Sequence, residues 1–202
     1  MAKLHFKYAA MNAGKSIDLM RTAYNCEENG FKVLVMKPKI DTKDDDYISS
    51  RIGLKRKVDI LIDKEDNIPY ILRGKLEGLY AVLIDEAQFL SRKQIDDLYM
   101  ICKIYDIPVI CYGLRVNFLN ESFEGSMRLL ELADELLELE TLCSCGRIAR
   151  ISVRKVNNEF VNFGEEIVID GAYDVLYVPL CGNCYLEKVK KINFKDFKEK
   201  LR

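Results

Sequence analysis

Ala9-Ala10-Met11-Asn12-Ala13-Gly14-Lys15-Ser16 is the segment of this 202-residue sequence that indicates its fold class most clearly. A short apolar run comes directly before it and predicts a strand, and the residues after it carry apolar side chains at helical spacing. A strand, a tight loop that ends in glycine, lysine and a hydroxyl residue, and a helix form the P-loop pattern, apart from its first glycine, where Ala9 stands. The sequence therefore predicts a phosphate-binding loop.

The chemistry of this loop follows from its residue types. Backbone N–H groups and the positive end of a helix face phosphate oxygens, a lysine reaches the terminal phosphates, and a hydroxyl binds Mg²⁺. Lys15 and Ser16 supply the last two groups. Ala9 is unfavourable there only if its φ is positive, where a Cβ atom is disfavoured. The alternative is an ordinary turn between a strand and a helix.

The first 140 residues alternate short apolar runs with amphipathic stretches, which is typical of βαβ units. We expect an α/β fold, a doubly wound and mostly parallel sheet, with a small C-terminal zinc-ribbon-like β module. The predicted strands and helices are Leu4 to Tyr8, Ser16 to Asn29 (helix), Lys32 to Met36, Val58 to Ile62, Leu79 to Ile84, Ser91 to Tyr105 (helix), Pro108 to Tyr112 and Glu135 to Leu139. The predicted domains are a nucleotide-binding domain at 1–142, a zinc-ribbon or lasso domain at 143–192 and a basic tail at 193–202.

Two carboxylates, Asp85 and Glu86, follow the predicted strand from Leu79 to Ile84. Ligands of open α/β sheets bind at the carboxyl ends of the strands, and an acidic strand end is the Walker B element of P-loop enzymes. Asp85 is expected to hold Mg²⁺ together with Ser16, and Glu86 is placed to accept a proton from an attacking hydroxyl. The alternative is an acidic turn without chemistry.

Four of the seven cysteines form two late pairs, Cys143-Ser144-Cys145 and Cys181-Gly182-Asn183-Cys184. This spacing predicts a Cys₄ structural zinc site, because four thiolates leave no open coordination position. The alternative is a set of reduced thiols in a metal-free hairpin. The other three cysteines lie in apolar segments and are expected in the core: Cys26, Cys102 and Cys111.

The overall composition argues against several classes of partner. A net charge of −1, from 31 basic and 32 acidic residues, does not favour a nucleic acid or a membrane surface as partner. The apolar runs are far shorter than the roughly 20 residues of a membrane helix. The N-terminus lacks the features of a signal peptide, so we expect a cytoplasmic protein. A zinc-ribbon nucleic-acid binder has only thin support, from Arg147, Arg150, Arg154 and Lys155.

Taken together, the motifs resemble type II thymidine kinases over about residues 3–185. The matching elements are Met11-Asn12-Ala13-Gly14-Lys15-Ser16, Lys37-Pro38 with Asp41, Ser50-Arg51-Ile52-Gly53, Asp85-Glu86-Ala87-Gln88-Phe89, Tyr112-Gly113-Leu114 with Phe118 and Phe123, and the two cysteine pairs. The resemblance implies ATP and Mg²⁺ as cosubstrates, deoxythymidine as acceptor and Glu86 as general base. It also implies that Asp41 lies near the metal and phosphates and that Gln88 belongs to the phosphate-binding residues.

The resemblance further implies an acceptor site, a homotetramer and feedback inhibition by the triphosphate end product. The implied acceptor residues are Met11, Phe89, Leu114, Phe118 and Phe123, with Ser152 and Tyr177 from a lasso-like loop. Aromatic walls suit a flat pyrimidine ring, which gives this set an independent physical reason.

Four departures from the family pattern leave alternatives open. Ala9 replaces a glycine, Arg115 replaces an aspartate, and Ile169-Asp170-Gly171 replaces an Ile-Gly-Gly sequence. Tyr177 lies about two residues further from Gly171 than in the family pattern. Arg115 is either an altered salt-bridge partner or a contact to a ligand phosphate. The alternative functions are a kinase for another deoxynucleoside and a catalytically inactive, nucleotide-binding regulatory protein.

Overall fold

The computed structural model describes residues 1–39, 46–161, 163–164 and 175–201. In these residues the strands are β1 (Leu4–Ala9), β2 (Lys32–Pro38), β3 (Tyr47–Ser49), β4 (Lys55–Lys57), β5 (Ile60–Ile62), β6 (Leu79–Ile84), β7 (Val109–Leu114), β8 (Glu135–Glu138), β9 (Thr141–Leu142), β10 (Ile148–Ala149), β11 (Ile151–Val156), β12 (Glu159–Val161) and β13 (Val175–Leu180). The helices are α1 (Lys15–Glu28), α2 (Ile68–Ile71), α3 (Arg92–Tyr105), α4 (Glu124–Leu132), α5 (Gly182–Lys188) and α6 (Phe194–Glu199), with a 3-10 turn at Ala87–Phe89.

The centre of the fold is a parallel sheet. Its six strands, counted over the described residues, have the order β5-β2-β6-β7-β1-β8, and each neighbouring pair is parallel. All six correspond to strands predicted from the sequence, and α1 and α3 correspond to the two predicted helices. The prediction of an α/β fold with a mostly parallel sheet is confirmed.

Alternation along the strands explains how helices cover both faces of the sheet. Val33 and Val35 of β2 pack in one buried cluster with Leu19 of α1. Leu34 and Met36 of the same strand belong to another cluster. The second cluster also contains residues from α3 and α4: Ile95, Leu98, Ile101 and Leu129. Because successive side chains of a strand point to opposite faces, α1 covers one face and α3 and α4 cover the other.

The predicted core cysteines have two different environments. Cys102 and Cys111 are fully buried in the larger cluster, as predicted. Cys26 is only partly buried and packs at the margin of the cluster that contains α1. A position near the end of α1, rather than inside the sheet, explains this difference.

The described chain divides into two compact units. The first consists of Met1–Ala9, Gly14–Arg115 and Ser122–Leu139, and the second consists of Ala10–Ala13, Val116–Glu121 and Glu140–Arg202. The described part of the second unit contains an antiparallel sheet of order β12-β11-β13 and the hairpin β9-β10. The predicted small β module is therefore present. None of the helices in the described ranges is long and apolar enough to cross a membrane.

Helix α4 was not predicted from the sequence. It has nine residues, its N-cap residue Phe123 makes no side-chain capping bond, and Gly125 lowers its intrinsic helix propensity. Gly125 is required because α4 lies against the turn that follows β6. A Cβ atom on Gly125 would lie 2.5 Å from the Ala87 carbonyl oxygen and 2.6 Å from that of Leu90.

Gly125→Ala is therefore expected to lower the free energy of unfolding by about 1–3 kcal/mol, since the added methyl group meets backbone atoms that cannot rotate away. Denaturant unfolding of the purified variant measures the loss. Met127→Ala is the matched control, because Met127 lies two residues further along α4 and is exposed. The control is expected to change stability by no more than about 0.5 kcal/mol. Equal stabilities for Gly125→Ala and the control would contradict the close packing of α4.

Candidate active site

The predicted phosphate-binding loop begins where β1 ends. Ala9 is the last residue of β1, is buried, and does not have a positive φ. The alanine at this position therefore costs no backbone strain, which removes the physical objection to it. Gly14 does require glycine, since it caps α1 in the left-handed region with φ of 78°. The Asp18 N–H donates to the Gly14 carbonyl at 2.9 Å and closes the first turn of α1.

Residues 10–13, the middle of the loop, belong to the second unit. The Met11 N–H donates to Ser152 Oγ at 2.8 Å, and Asn12 Nδ2 donates to the Tyr177 carbonyl oxygen at 3.5 Å. Asn12 has a φ of 67°, a conformation that asparagine tolerates better than most residues. The structure thus brings the predicted loop residue Met11 together with Ser152, which was predicted to bind the acceptor.

The acidic end of β6 lies beside the start of α1. Asp85 is buried, and Ser16 Oγ donates to its Oδ2 at 3.1 Å. Burial raises the pKa of Asp85 to about 7; Glu86 adds to this shift, while the Ser16 hydrogen bond and the Lys15 charge oppose it. Burial lowers the pKa of Lys15, against the attraction of the Glu86 and Asp85 carboxylates. Lys15, Ser16, Asp85 and Glu86 thus form one electrostatically coupled group.

Glu86 has an unusual backbone conformation. Its φ is 51° and its ψ is 35°, in the left-handed region that a residue with a Cβ atom rarely adopts. The Glu86 N–H donates to Asp85 Oδ1 at 3.0 Å, and the Glu86 carbonyl accepts from the Phe89 N–H at 3.1 Å. Strain of this kind costs about 1–3 kcal/mol and is concentrated at functional sites. The half-buried Glu86 side chain is therefore aimed by a conformation that the rest of the turn maintains.

The seven predicted acceptor residues fall into two groups. In the first unit, the Phe89 and Phe123 rings meet edge to face, with centroids 5.4 Å apart and planes at 76°. The half-buried Leu114 ends β7 in the same unit. In the second unit, Phe118 and Tyr177 are buried in one cluster against which Met11 packs, and Ser152 is buried.

Arg154, in the second unit, is one of the four basic residues that gave a nucleic-acid binder its thin support. Its guanidinium carbon lies 3.6 Å from the Phe118 ring centroid, and its Nε donates to the Tyr177 hydroxyl at 3.0 Å. Arg154 is 3% exposed, so it cannot contribute to the basic surface that a nucleic-acid binder would need. In the sequence, the polar Arg154 follows the apolar Val153 within the predicted β module. This alternation does not show that both faces of the strand are buried.

The four paired cysteines converge within the second unit. Their Sγ atoms all lie within 4.8 Å of one another, and those of Cys145 and Cys181 are 3.6 Å apart. Four thiolates about 2.3 Å from one tetrahedral ion are separated by about 3.8 Å, which this cluster matches. The short Cys143-Ser144-Cys145 pair fits because Gly146, with φ of 82°, reverses the chain and its N–H donates to the Cys143 carbonyl at 2.9 Å. The cluster has the geometry of a four-thiolate metal site.

The thiols of the cluster differ in their electrostatics. All four cysteines are free thiols. Burial raises the pKa of the Cys143 thiol, but hydrogen bonds with the backbone of Cys145 and Cys181 and with the side chains of Cys145 and Cys184 together lower it to about 6. Hydrogen bonding with the Cys145 side chain, together with burial, raises the pKa of Cys184 to about 12. A thiolate is the form that binds metal ions, so the surroundings of Cys143 prepare it as a ligand.

Three features of the sequence remain, at Asp41, at residues 169–171 and at Arg115. Asp41 and the sequence Ile169-Asp170-Gly171 lie outside the described residues. Arg115 is partly exposed and forms no ion pair with any residue that the structure describes, which does not support its interpretation as an altered salt-bridge partner.

A loop with a lysine and a hydroxyl at the head of α1, next to a buried carboxylate at the end of a parallel strand, defines a P-loop nucleotide-binding protein. The family model described as thymidine kinase matches residues 2–185. A thymidine kinase of Streptococcus gordonii is 42% identical over 189 residues, 93% of this chain and 97% of the relative. That of Enterobacteria phage T4 is 42% identical over 195 residues, 95% of this chain and 100% of the relative. That of Photorhabdus laumondii is 40% identical over 195 residues, 95% of this chain and 96% of the relative. The chain belongs to the thymidine kinase family.

Proposed function

We propose that this protein is a thymidine kinase, which transfers the γ-phosphoryl group of ATP to the 5′-hydroxyl of deoxythymidine. The observation that carries the proposal is the cluster of Lys15, Ser16, Asp85 and Glu86. In this cluster, the charges of Lys15 and Asp85 shift each other's pKa values and the Glu86 charge acts on both, and Ser16 Oγ donates a hydrogen bond to Asp85 Oδ2 at 3.1 Å. Family membership over nearly the whole chain supports the same reaction.

Each member of this group has a proposed role. The backbone of residues 9–16 and the Lys15 ammonium bind the ATP phosphates. Ser16 and Asp85 offer the oxygen ligands that Mg²⁺ prefers, and the buried Asp85 carboxyl, whose pKa is raised, is stabilised as a carboxylate by a cation. Mg²⁺ supplies neutralisation of the charge that develops on the phosphate oxygens. Asp41 keeps its proposed place near the phosphates on family grounds.

Glu86 is the proposed general base. The bond that forms joins the 5′-oxygen of the nucleoside to the γ-phosphorus, and the bond that breaks joins this phosphorus to the oxygen it shares with the β-phosphate. The proton of the 5′-hydroxyl passes to the Glu86 carboxylate, and the products are deoxythymidine monophosphate and ADP. Most of the catalysis then comes from positioning and charge neutralisation rather than from covalent chemistry.

Family membership supports seven proposed acceptor residues, three in the first unit and four in the second. Phe89 and Phe123 in the first unit offer an aromatic wall, with Leu114 beside the turn. In the second unit, the proposed contacts are Met11, Phe118, Ser152 and Tyr177. A flat pyrimidine between apolar rings, oriented by a few polar groups, is the usual composition of such a site.

The metal of the cysteine cluster is proposed to be Zn²⁺. Thiolate ligands favour zinc, and a complete set of four excludes a water ligand, so its role would be structural.

The division into a nucleotide-binding domain that ends at residue 142, a zinc-ribbon or lasso domain that ends at residue 192 and a basic tail stays a proposal. From family membership alone, we also propose a cytoplasmic homotetramer that is inhibited by its triphosphate end product. Light scattering of the purified protein tests the assembly.

A panel of nucleosides tests the identity of the acceptor. We expect thymidine to be phosphorylated in preference to deoxyuridine, deoxycytidine and deoxyguanosine when all four compete for limiting Mg-ATP. Preference for another nucleoside would replace thymidine by that acceptor and keep the kinase. The inactive regulatory protein loses its main support, because Ala9 lies in β1 without a positive φ and the four coupled residues are intact.

A further inference from the structure

Gln88 lies two residues beyond the proposed base and is buried, with 1% of its surface exposed. Its Nε2 donates to Glu86 Oε2 at 2.5 Å, and its Oε1 accepts from the Leu114 N–H at 3.1 Å. A carboxylate only accepts and a backbone N–H only donates, so these two partners determine the orientation of the amide. The side chain therefore connects the Glu86 carboxylate to the end of β7.

Gly113 leaves room for the Gln88 amide because it has no side chain. A Cβ atom on Gly113 would lie 2.8 Å from Gln88 Oε1 and 3.2 Å from the Gln88 nitrogen. Gly113 has an ordinary φ, so its lack of a side chain serves the space around Gln88 rather than a special backbone conformation. Gly125 of α4 approaches the same turn from another direction, since its Cβ atom would lie 3.0 Å from the Gln88 carbonyl oxygen.

We propose that Gln88 is a positioning residue for Glu86 and does not bind the phosphates of ATP. The left-handed backbone of Glu86 fixes the direction in which its side chain leaves the main chain. The hydrogen bond from the buried Gln88 amide then fixes the position of the Glu86 carboxylate. A glutamate side chain has three rotatable bonds, so without this partner its carboxylate would sample orientations that do not face the acceptor. Gln88 Oε1 also accepts a hydrogen bond from the N–H of Leu114, a proposed acceptor residue, and so fixes the Leu114 backbone relative to Glu86.

This inference rests on the proposed kinase reaction, and the variant Gln88→Met tests it. Methionine keeps the length and burial of the side chain but makes neither hydrogen bond. We expect kcat to fall about 10- to 100-fold, as for a misplaced catalytic group, while the dissociation constant of Mg-ATP changes by less than about threefold. A tenfold weaker binding of Mg-ATP would overturn the proposal in favour of phosphate binding, and an unchanged kcat would overturn it outright.

Gln94→Met is the matched control. Gln94 is also buried, at 3% exposure, and its amide donates to the carbonyl oxygens of Asp63 and Asp66 instead of to the proposed base. The control is expected to lose stability and to keep kcat within about threefold of the unaltered protein. A similar fall in kcat for both variants would mean that any lost buried amide reduces turnover, and the proposal would be wrong.

Gly113→Ala provides a second, independent variant. The added methyl group displaces the Gln88 amide, so kcat is expected to fall about tenfold in the otherwise unaltered protein. In a Gln88→Ala background the displaced atom is absent, and the same change is expected to alter kcat by less than about twofold. Equal effects in both backgrounds would contradict a shared mechanism.

A measurement without turnover separates this inference from the kinase proposal. In ¹H–¹⁵N spectra, the Gln88 side-chain amide signal is identified by its absence in Gln88→Met. It is expected to shift strongly in Glu86→Ala and not in Glu77→Ala, which changes an exposed glutamate. If the unaltered protein phosphorylates no nucleoside, yet Glu86→Ala shows this shift, the proposed reaction is refuted and the Gln88–Glu86 contact stands. Turnover without the shift would refute the contact alone.

Discussion

Glu86→Gln is expected to lower kcat for thymidine phosphorylation by about 10²- to 10⁴-fold, the usual contribution of general-base catalysis. The glutamine side chain has the same shape, and its oxygen can still accept the hydrogen bond that Gln88 donates to Glu86. It cannot take the proton of the 5′-hydroxyl. Mg-ATP affinity should change by less than about threefold, because Lys15, Ser16 and Asp85 are intact.

Steady-state kinetics with thymidine, together with calorimetric titration of Mg-ATP, measure both quantities. Glu77→Gln makes the same chemical change at an exposed position of the first unit and should leave both unaltered. If Glu86→Gln keeps a kcat within about threefold of the unaltered protein, Glu86 is not the base.

Cys184→Ser is expected to abolish metal binding and to unfold the described core around the cysteine cluster. Structural zinc contributes about 10–16 kcal/mol of apparent binding free energy in small metal-dependent domains, so loss of one ligand removes a large part of the stability. Cys143, Cys181 and Cys184 are themselves buried beside Val153 and Leu180 in the core of this unit. Ser152 lies next to Val153 on β11, and thymidine turnover should therefore fall as well.

Elemental analysis and limited proteolysis test this expectation. We expect about one zinc per chain in the unaltered protein, less than about a tenth of that in Cys184→Ser, and cleavage after basic residues of β11. Cys26→Ser is the matched control, since Cys26 is a partly buried thiol outside the cluster. Full zinc content and resistance to protease in Cys184→Ser would mean that Cys184 is not a ligand on which metal binding and folding depend.

Local sequence patterns were sufficient for the framework of the first unit. The strands β1 and β6 were predictable because apolar runs end abruptly in Gly-Lys-Ser and Asp-Glu sequences, which are characteristic of ligand-binding strand ends. The period of apolar residues in α1 and α3 was sufficient for those helices. Ser16 follows β1 and Asp85 follows β6, and these parallel strands end at the same edge of the sheet. This explains the hydrogen bond between Ser16 and Asp85.

What the sequence did not reveal depends on contacts between distant residues. The left-handed φ of Glu86, the burial of Arg154 between Phe118 and Tyr177, and the space that Gly113 leaves for an amide have no local signature. Helix α4 was missed for the same reason, because packing against a turn compensates for its weak intrinsic propensity. Gln88 was assigned to the phosphates by resemblance, whereas its hydrogen bonds lead to the proposed base and to Leu114.

Transfer of a labelled γ-phosphoryl group from Mg-ATP to thymidine by the purified protein is the decisive test of the proposed reaction. We expect equal amounts of deoxythymidine monophosphate and ADP, formation that requires Mg²⁺, and loss of both products in Glu86→Gln. Binding of Mg-ATP without phosphorylation of thymidine or of any other nucleoside would contradict the proposed reaction.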